Sequence, residues 1–216
     1  MIGMSSFFNY PNLISIKLNG SANFVADGGV LFNKDKTRLI YYLGSHARSY
    51  SKPYNMTVID NYAFCICEEL VSIIIPEGVS TIGRYTFQFC DGLFRVNLPK
   101  SVTVIKDGIF SERKQLSSIT IPDSISSIVE EAFRGCAQLA SINIPHSVTS
   151  IGSYAFSECD NLESIYIPSS VEVMGDNPFA CSPKLKIDVH DNPKFIFVDD
   201  VLHDKDRKRI ILCSTG

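Results

Sequence analysis

The residues of this chain best equipped for chemistry are seven cysteines, four histidines and one group of aspartates, and their spacing decides what each can do. Cys67, Cys90, Cys136 and Cys159 stand at multiples of 23 residues from one another, with Arg113 and Ser182 at the same step of the series. Thiols on a period read as small buried hydrophobes, not as disulfide staples. Cys65 and Cys67 form a Cys-x-Cys with no answering pair at zinc-finger spacing, so no zinc site is expected. Buried thiols survive in oxidising and reducing compartments, which leaves the compartment open. His46, His146, His190 and His203 have no sequence neighbours that suggest a catalytic triad. His146 follows Pro145 at a variable step shared with Glu77, Lys100, Asp123 and Ser169, and reads as a solvated loop residue. Asp199, Asp200, Asp204 and Asp206 surround His203 in the manner of calcium ligands. They lack the turn glycine and closing glutamate of an EF-hand, so a structural turn is the expectation. Arg207-Lys208-Arg209 would alternate faces along a strand beside those aspartates, which makes a charged hairpin edge that resists pairing with other chains. Asp27-Gly28-Gly29 reads as a turn leading into a hairpin, without phosphate-loop spacing. With no nucleophile and base pair, metal set or phosphate loop, the chain is expected to be non-enzymatic and to use no cofactor.

The element that must position these residues is a repeat. Its opening aliphatic recurs at Ile59, Ile82, Ile105, Ile128, Ile151 and Met174, and an aromatic five places later at Phe64, Phe87, Phe110, Phe133, Phe156 and Phe179. A leucine eleven places in recurs at Leu70, Leu93, Leu116, Leu139, Leu162 and Leu185. A period in this range marks a solenoid of leucine-rich type. Leu162 to Ile167 alternates apolar and polar, the pattern of a strand with one buried face, and Pro76, Pro99, Pro122, Pro145 and Pro168 end each such strand. Gly152 to Cys159 is too short for a free helix but long enough for one helical or 3₁₀ turn that drops Phe156 into the interior. The phenylalanines are expected to stack as a spine.

The fold class expected is mostly β within α/β: a right-handed solenoid with a parallel sheet on its concave face, short helical turns on the convex side and two β-hairpin insertions. The parts are a first coil over 2–23, a hairpin over 24–43, 23-residue coils over 59–190 and a second hairpin over 195–213. They are expected to form a single domain, a fragment of a longer chain. The first coil places Ile2, Phe7, Tyr10, Leu13, Ile16 and Leu18 at the steps of Ile151, Phe156, Cys159, Leu162, Ile165 and Ile167. Val201 to Cys213 aligns without gaps on Val30 to Tyr42. Ser45 to Ser51 reads as polar linker, after which Pro53, Met56 and Ile59 rejoin the period. Beyond Leu185 the apolar residues are Ile187 and Val189, one place early, which predicts a local backbone shift near 186–190.

A formal charge of -3 gives no reason to expect nucleic acid or an anionic membrane as a partner. No apolar run approaches the ~20 residues of a membrane span, and the first ten residues lack the basic start and apolar core of a secretion signal.

The coil Ile-Gly-x-x-Ala-Phe-x-x-Cys-x-x-Leu-x-x-Ile-x-Ile-Pro-x-x-Val, most complete in 151–171, resembles the BspA-like, Treponema pallidum-type leucine-rich repeats of bacterial surface proteins. That resemblance implies an extracellular or cell-surface binding protein concerned with adhesion to host matrix proteins, other cells or glycans. The alternative is a cytoplasmic protein-interaction scaffold. The candidate binding residues are the outward steps two and four places after each leucine. One row is Ser72, Arg95, Ser118, Ser141 and Ser164; the other is Ile74, Asn97, Thr120, Asn143 and Tyr166. These rows are expected to line the concave face, with Arg95 and Tyr166 as anchors for a protein or glycan ligand.

Overall fold

The computed structural model describes residues 13, 15–43, 48–51, 55–206 and 208–213, without the side chains of Arg95, Leu212 and Cys213. The chain opens on three strands, β1 (Phe24–Asp27), β2 (Val30–Asn33) and β3 (Arg38–Tyr42), followed by β4 (Ser49–Tyr50). The repeats then alternate short strands: β5 (Val58–Ile59), β6 (Ser72–Ile74), β7 (Thr81–Ile82), β8 (Arg95–Asn97), β9 (Val104–Ile105), β10 (Ser127–Ile128), β11 (Ser150–Ile151), β12 (Ser164–Tyr166), β13 (Val173–Met174) and β14 (Lys186–Asp188). Three more, β15 (Phe195–Val198), β16 (Val201–Asp204) and β17 (Ile210–Cys213), finish the described chain.

Every inter-coil pairing is parallel, and the pairings fall in two separate strips. The expected strip, after the leucine, is β4-β6-β8 and, further along, β12-β14 with an isolated bridge from Ser141 to Ser164. A second strip, not anticipated, runs through the coil openings as β3-β5-β7 and β9-β10-β11-β13. Ser49 and Tyr50 pair in the first strip with Ser72 and Ile73. The expected polar linker is therefore in part a strand, and Tyr50 is buried with its ring 5.4 Å from Phe64.

The expected helical turn is corrected: no helix occurs among the described residues. The segment after each opening is a run of β-turns, as in Ala63 N–H to Asp60, Cys65 N–H to Tyr62 and Cys67 N–H to Phe64. Two residues per coil sit at positive φ. They are Tyr62 and Ile66, Tyr85 and Phe89, Gly108 and Glu112, Glu131 and Gly135, Tyr154 and Glu158, Asn177 and Cys181. A left-handed residue ends any α-helix and costs roughly 1–2 kcal/mol in an L side chain. The return is that alternate N–H groups point along the stack: Tyr154, Phe156 and Glu158 donate to Asp176, Pro178 and Ala180 of the next coil at 2.7–3.1 Å.

Inside, the phenylalanine spine is continuous. Ring centroids from Phe64 to Phe179 lie 5.2–5.9 Å apart, and Tyr42 extends the stack at 5.0 Å from Phe64. Beside it the free thiols form a ladder, each reaching a carbonyl of the preceding coil. Cys90, Cys136 and Cys159 reach Phe64, Phe110 and Phe133 at 2.9–3.3 Å, and the Ser182 hydroxyl donates to Phe156 at 3.0 Å. Burial pushes the Cys65 and Cys159 thiols up to about 12. Arg113 occupies the same rung. It is 1% exposed, its Nε, Nη1 and Nη2 have no hydrogen-bond partner among the described residues, and its guanidinium lies 5.9 Å from the Phe110 ring.

The two expected hairpins are each one strand larger. β1-β2-β3 and β15-β16-β17 are antiparallel sheets with the same register, Phe24 opposite Asn33 and Phe195 opposite Asp204. They also share a bulge, between Leu31 and Phe32 and between Leu202 and His203. Gly28 and Gly29, at φ 55 and 79, make the tight turn between β1 and β2, and Asp199 and Asp200 make its counterpart. Asp204 Oδ1 accepts the backbone N–H groups of Lys208 and Arg209, so this aspartate serves the β16–β17 turn. Arg209 donates to the Met174 carbonyl and pairs with Asp176; Arg207 lies outside the described residues. Of the first coil, Ile2, Phe7 and Tyr10 also lie outside them, while Leu13, Ile16 and Leu18 pack against Leu31, Tyr41 and Leu43.

The early apolar pair near the last coil is resolved by deleting one residue. β6 and β8 pair 23 residues apart, Ile73 with Val96, whereas β12 and β14 pair 22 apart, Ile165 with Ile187. Ile187 thus keeps the inward face. Asn192 then closes the coil: it is buried, its amide donates to Pro168 and Val171 carbonyls at 2.7 and 3.1 Å, and its oxygen accepts Lys194 and Phe195 N–H.

Candidate functional site

The outward rows arise from strand alternation. Within 162–167, Leu162, Ile165 and Ile167 enter the core, and Ser164 and Tyr166, alternating with the two isoleucines, project from the other face. Ser118, Ser141, Ser164, Asn97, Thr120 and Asn143 are all exposed, Ser72 and Tyr166 are half-buried, and the side chain of Arg95 lies outside the described ones. The backbone registers bring Ser72, Arg95 and Ile74, Asn97 side by side across β6 and β8, and Ser141 beside Ser164. At the end nearer the first sheet the face turns apolar, with Ile74 65% and Phe94 54% exposed.

At the other end a cluster forms that the sequence reading did not foresee. The 22-residue offset places Asp188 beside Tyr166. The Tyr166 ring lies 5.5 Å from His190 and 6.4 Å from His146, making a strip of three rings. His190 Nδ1 lies 2.7 Å from Asp188 and Nε2 2.9 Å from Asp191, and the Tyr166 hydroxyl donates to Asp191 at 3.4 Å. With a carboxylate at each ring nitrogen, His190 is favoured as the imidazolium: hydrogen bonding to Asp188 is the main cause of its raised pKa, while Asp188 is held low first by the His190 backbone N–H and then by its ring. The signal available in sequence was the one-residue deletion itself, which brings Asp188 into the row of Tyr166.

His203 sits on β16, with Nδ1 shut from solvent and unbonded among the described residues, and His46 lies outside them. No group of three or more His, Cys, Asp or Glu among the described residues is arranged to hold a metal ion. No helix among the described residues is long and apolar enough to cross a membrane. What the face can do is offer hydroxyl, amide and aromatic groups at fixed spacing to an extended surface.

Comparison with known proteins follows the same architecture. Residues 57–186 match the BspA type leucine rich repeat region in six copies. A leucine rich cell surface protein from Faecalibacterium prausnitzii is similar in structure, at 27% identity and TM-score 0.68, over 87% of this chain and 60% of that one. A leucine-rich repeat protein from Bacteroides ovatus aligns at 27% identity and TM-score 0.57, over 78% of this chain and 51% of that one. The pneumococcal vaccine antigen PcpA shares the fold at 24% identity and TM-score 0.64, over 80% of this chain and 49% of that one. The chain thus spans about half to three-fifths of the length of these solved structures. No curated protein matches it by sequence. Six matched copies across 57–186, on a stack of parallel-paired coils, make this chain a member of the BspA-type leucine-rich repeat family.

Proposed function

We propose that this chain is a non-enzymatic recognition module of a cell-surface or secreted protein, binding a protein or glycan through the concave side of its sheet. The observation that carries the reading is the pair of exposed rows, Ser118, Ser141, Ser164 and Asn97, Thr120, Asn143, which recur once per coil, with Ser141 paired beside Ser164 and Tyr166 at the end of the second row. Small uncharged polar groups in rows suit a ligand held by hydrogen bonds and shape, with Tyr166 and Arg95 as anchors. Family membership and the surface location printed for the Faecalibacterium relative support the setting.

The test is a binding screen of the purified chain against immobilised matrix proteins, host cells and a glycan array, with an Arg95→Glu/Tyr166→Ala double variant alongside. The reading expects a ligand whose binding drops at least tenfold in the variant. Binding that survives the double variant moves recognition off this face, and a folded chain that binds nothing ends the adhesion reading.

A further inference from the structure

The cluster around His190 offers a ligand more than the rows that lead to it. Asp188 projects on the same face as Tyr166, its register partner, and the Tyr166 ring neighbours those of His146 and His190. The His190 backbone N–H and Nδ1 both bond Asp188 Oδ1, while Nε2 bonds Asp191 Oδ2, which also accepts the Tyr166 hydroxyl. One oxygen of each carboxylate, Asp188 Oδ2 and Asp191 Oδ1, is left without a partner among the described residues, on side chains 55% and 63% exposed. A cavity of about 330 Å³ lies against the cluster, in the seam between β14 and β15, and its walls include Asp188, His190, Ile187, Phe195, Phe197 and Lys205. Apolar walls with a few fixed polar groups, around a volume of roughly 300 Å³ or more, are the usual form of a small-molecule site.

We propose that Tyr166, Asp188, His190 and Asp191, with this cavity, form a subsite for one ring of a neutral saccharide. This rests on the reading that the outward face binds a ligand, and it names the ligand's class. Charge selects that class. Two carboxylates stand with one imidazolium and the Lys205 ammonium, so neither an anion nor a cation gains from the site as a whole. A lysine or arginine of a protein partner would have to displace the His190 ring from between its two carboxylates. A hydroxyl need not. It donates to Asp188 Oδ2 or Asp191 Oδ1, the oxygens that the ring leaves open, because an ionised carboxylate only accepts and has room for several donors. The C–H face of a sugar ring is apolar enough to lie on the Tyr166 ring, whose hydroxyl is already tied to Asp191. The exposed Ser164, Ser141 and Asn143 carry hydroxyl and amide partners onward for further sugar units. His190 is a positioning residue here, holding both carboxylates at once.

The test is an array carrying neutral, sialylated and sulfated oligosaccharides beside immobilised matrix proteins, probed with the wild-type chain and with Asp188→Ala and Asp191→Ala, whose folding is checked by far-UV spectra. A neutral oligosaccharide is expected to bind, to compete in its free form, and to lose at least tenfold in affinity with either substitution. The same free sugar is expected to shift the His190 ring signals in the NMR spectrum of the wild-type chain. Ligands that are all proteins or acidic glycans overturn the saccharide subsite; if their binding is lost in Arg95→Glu/Tyr166→Ala, the face itself stands as the binding surface. A neutral oligosaccharide that binds both aspartate variants as tightly as wild type also overturns the subsite. A folded chain that binds nothing overturns this inference together with the reading it rests on.

Discussion

Arg113 shows how a single side chain can disagree with its rung. Its neighbours above and below, Cys90 and Cys136, each find a carbonyl of the preceding coil, whereas a guanidinium needs five partners and here is shut from water. Burial lowers its pKa, yet an arginine stays charged, so the fold bears the desolvation cost. Arg113→Cys restores the ladder and is expected to raise unfolding stability by about 1–3 kcal/mol in a denaturant series, as removing an unsatisfied buried polar group does. His190 is the converse, an exposed residue whose partners agree. Because its pKa is raised, the contacts to Asp188 and Asp191 are present at low pH and fade as pH rises through the folded-state value. NMR titration of its ring is expected to find a midpoint above the usual histidine value of about 6.5. Asp188→Asn brings it back down; an unmoved midpoint contradicts the clamp.

At the scale of one coil, much was legible and some was not. The positions of Phe133, Leu139 and Cys136 are readable because a buried step accepts few residue types. The second strip at Val104–Ile105 and its relatives is only two residues long, too short for alternation to register. The left-handed steps hide for a different reason: Tyr154, Glu131, Asn177 and Gly108 share one backbone state with no shared side-chain chemistry. The outward face was legible as a pattern of alternation, while the His190 cluster depended on a deletion whose register only the backbone pairing resolves. Glycine is informative where coils touch. A Cβ on Gly152 would stand 2.6 Å from the Val129 and Glu130 backbone, with nowhere to move. Gly152→Ala is therefore expected to cost about 2 kcal/mol or more, within the range for overpacked cores, read as a lowered denaturation midpoint.

Across the whole molecule, stability is a sum over neighbouring coils joined by one core. Phe133 lies mid-stack between Phe110 and Phe156, so Phe133→Ala removes a ring from both interfaces. Its cost is expected to be ~3–5 kcal/mol, while Ser141→Ala on the exposed row changes stability by less than about 0.5 kcal/mol. Similar small losses for the two would place the ring outside the core. The spine has an optical side as well. The chain contains no tryptophan, and its stacked phenylalanines terminate on Tyr42, with Tyr50 also against Phe64. Energy absorbed by any benzyl ring can hop along the column and leave as tyrosine emission. Excitation spectra of the folded chain are expected to carry phenylalanine bands in the tyrosine fluorescence, and cutting the column at Phe133 dims the contribution of every ring beyond the gap.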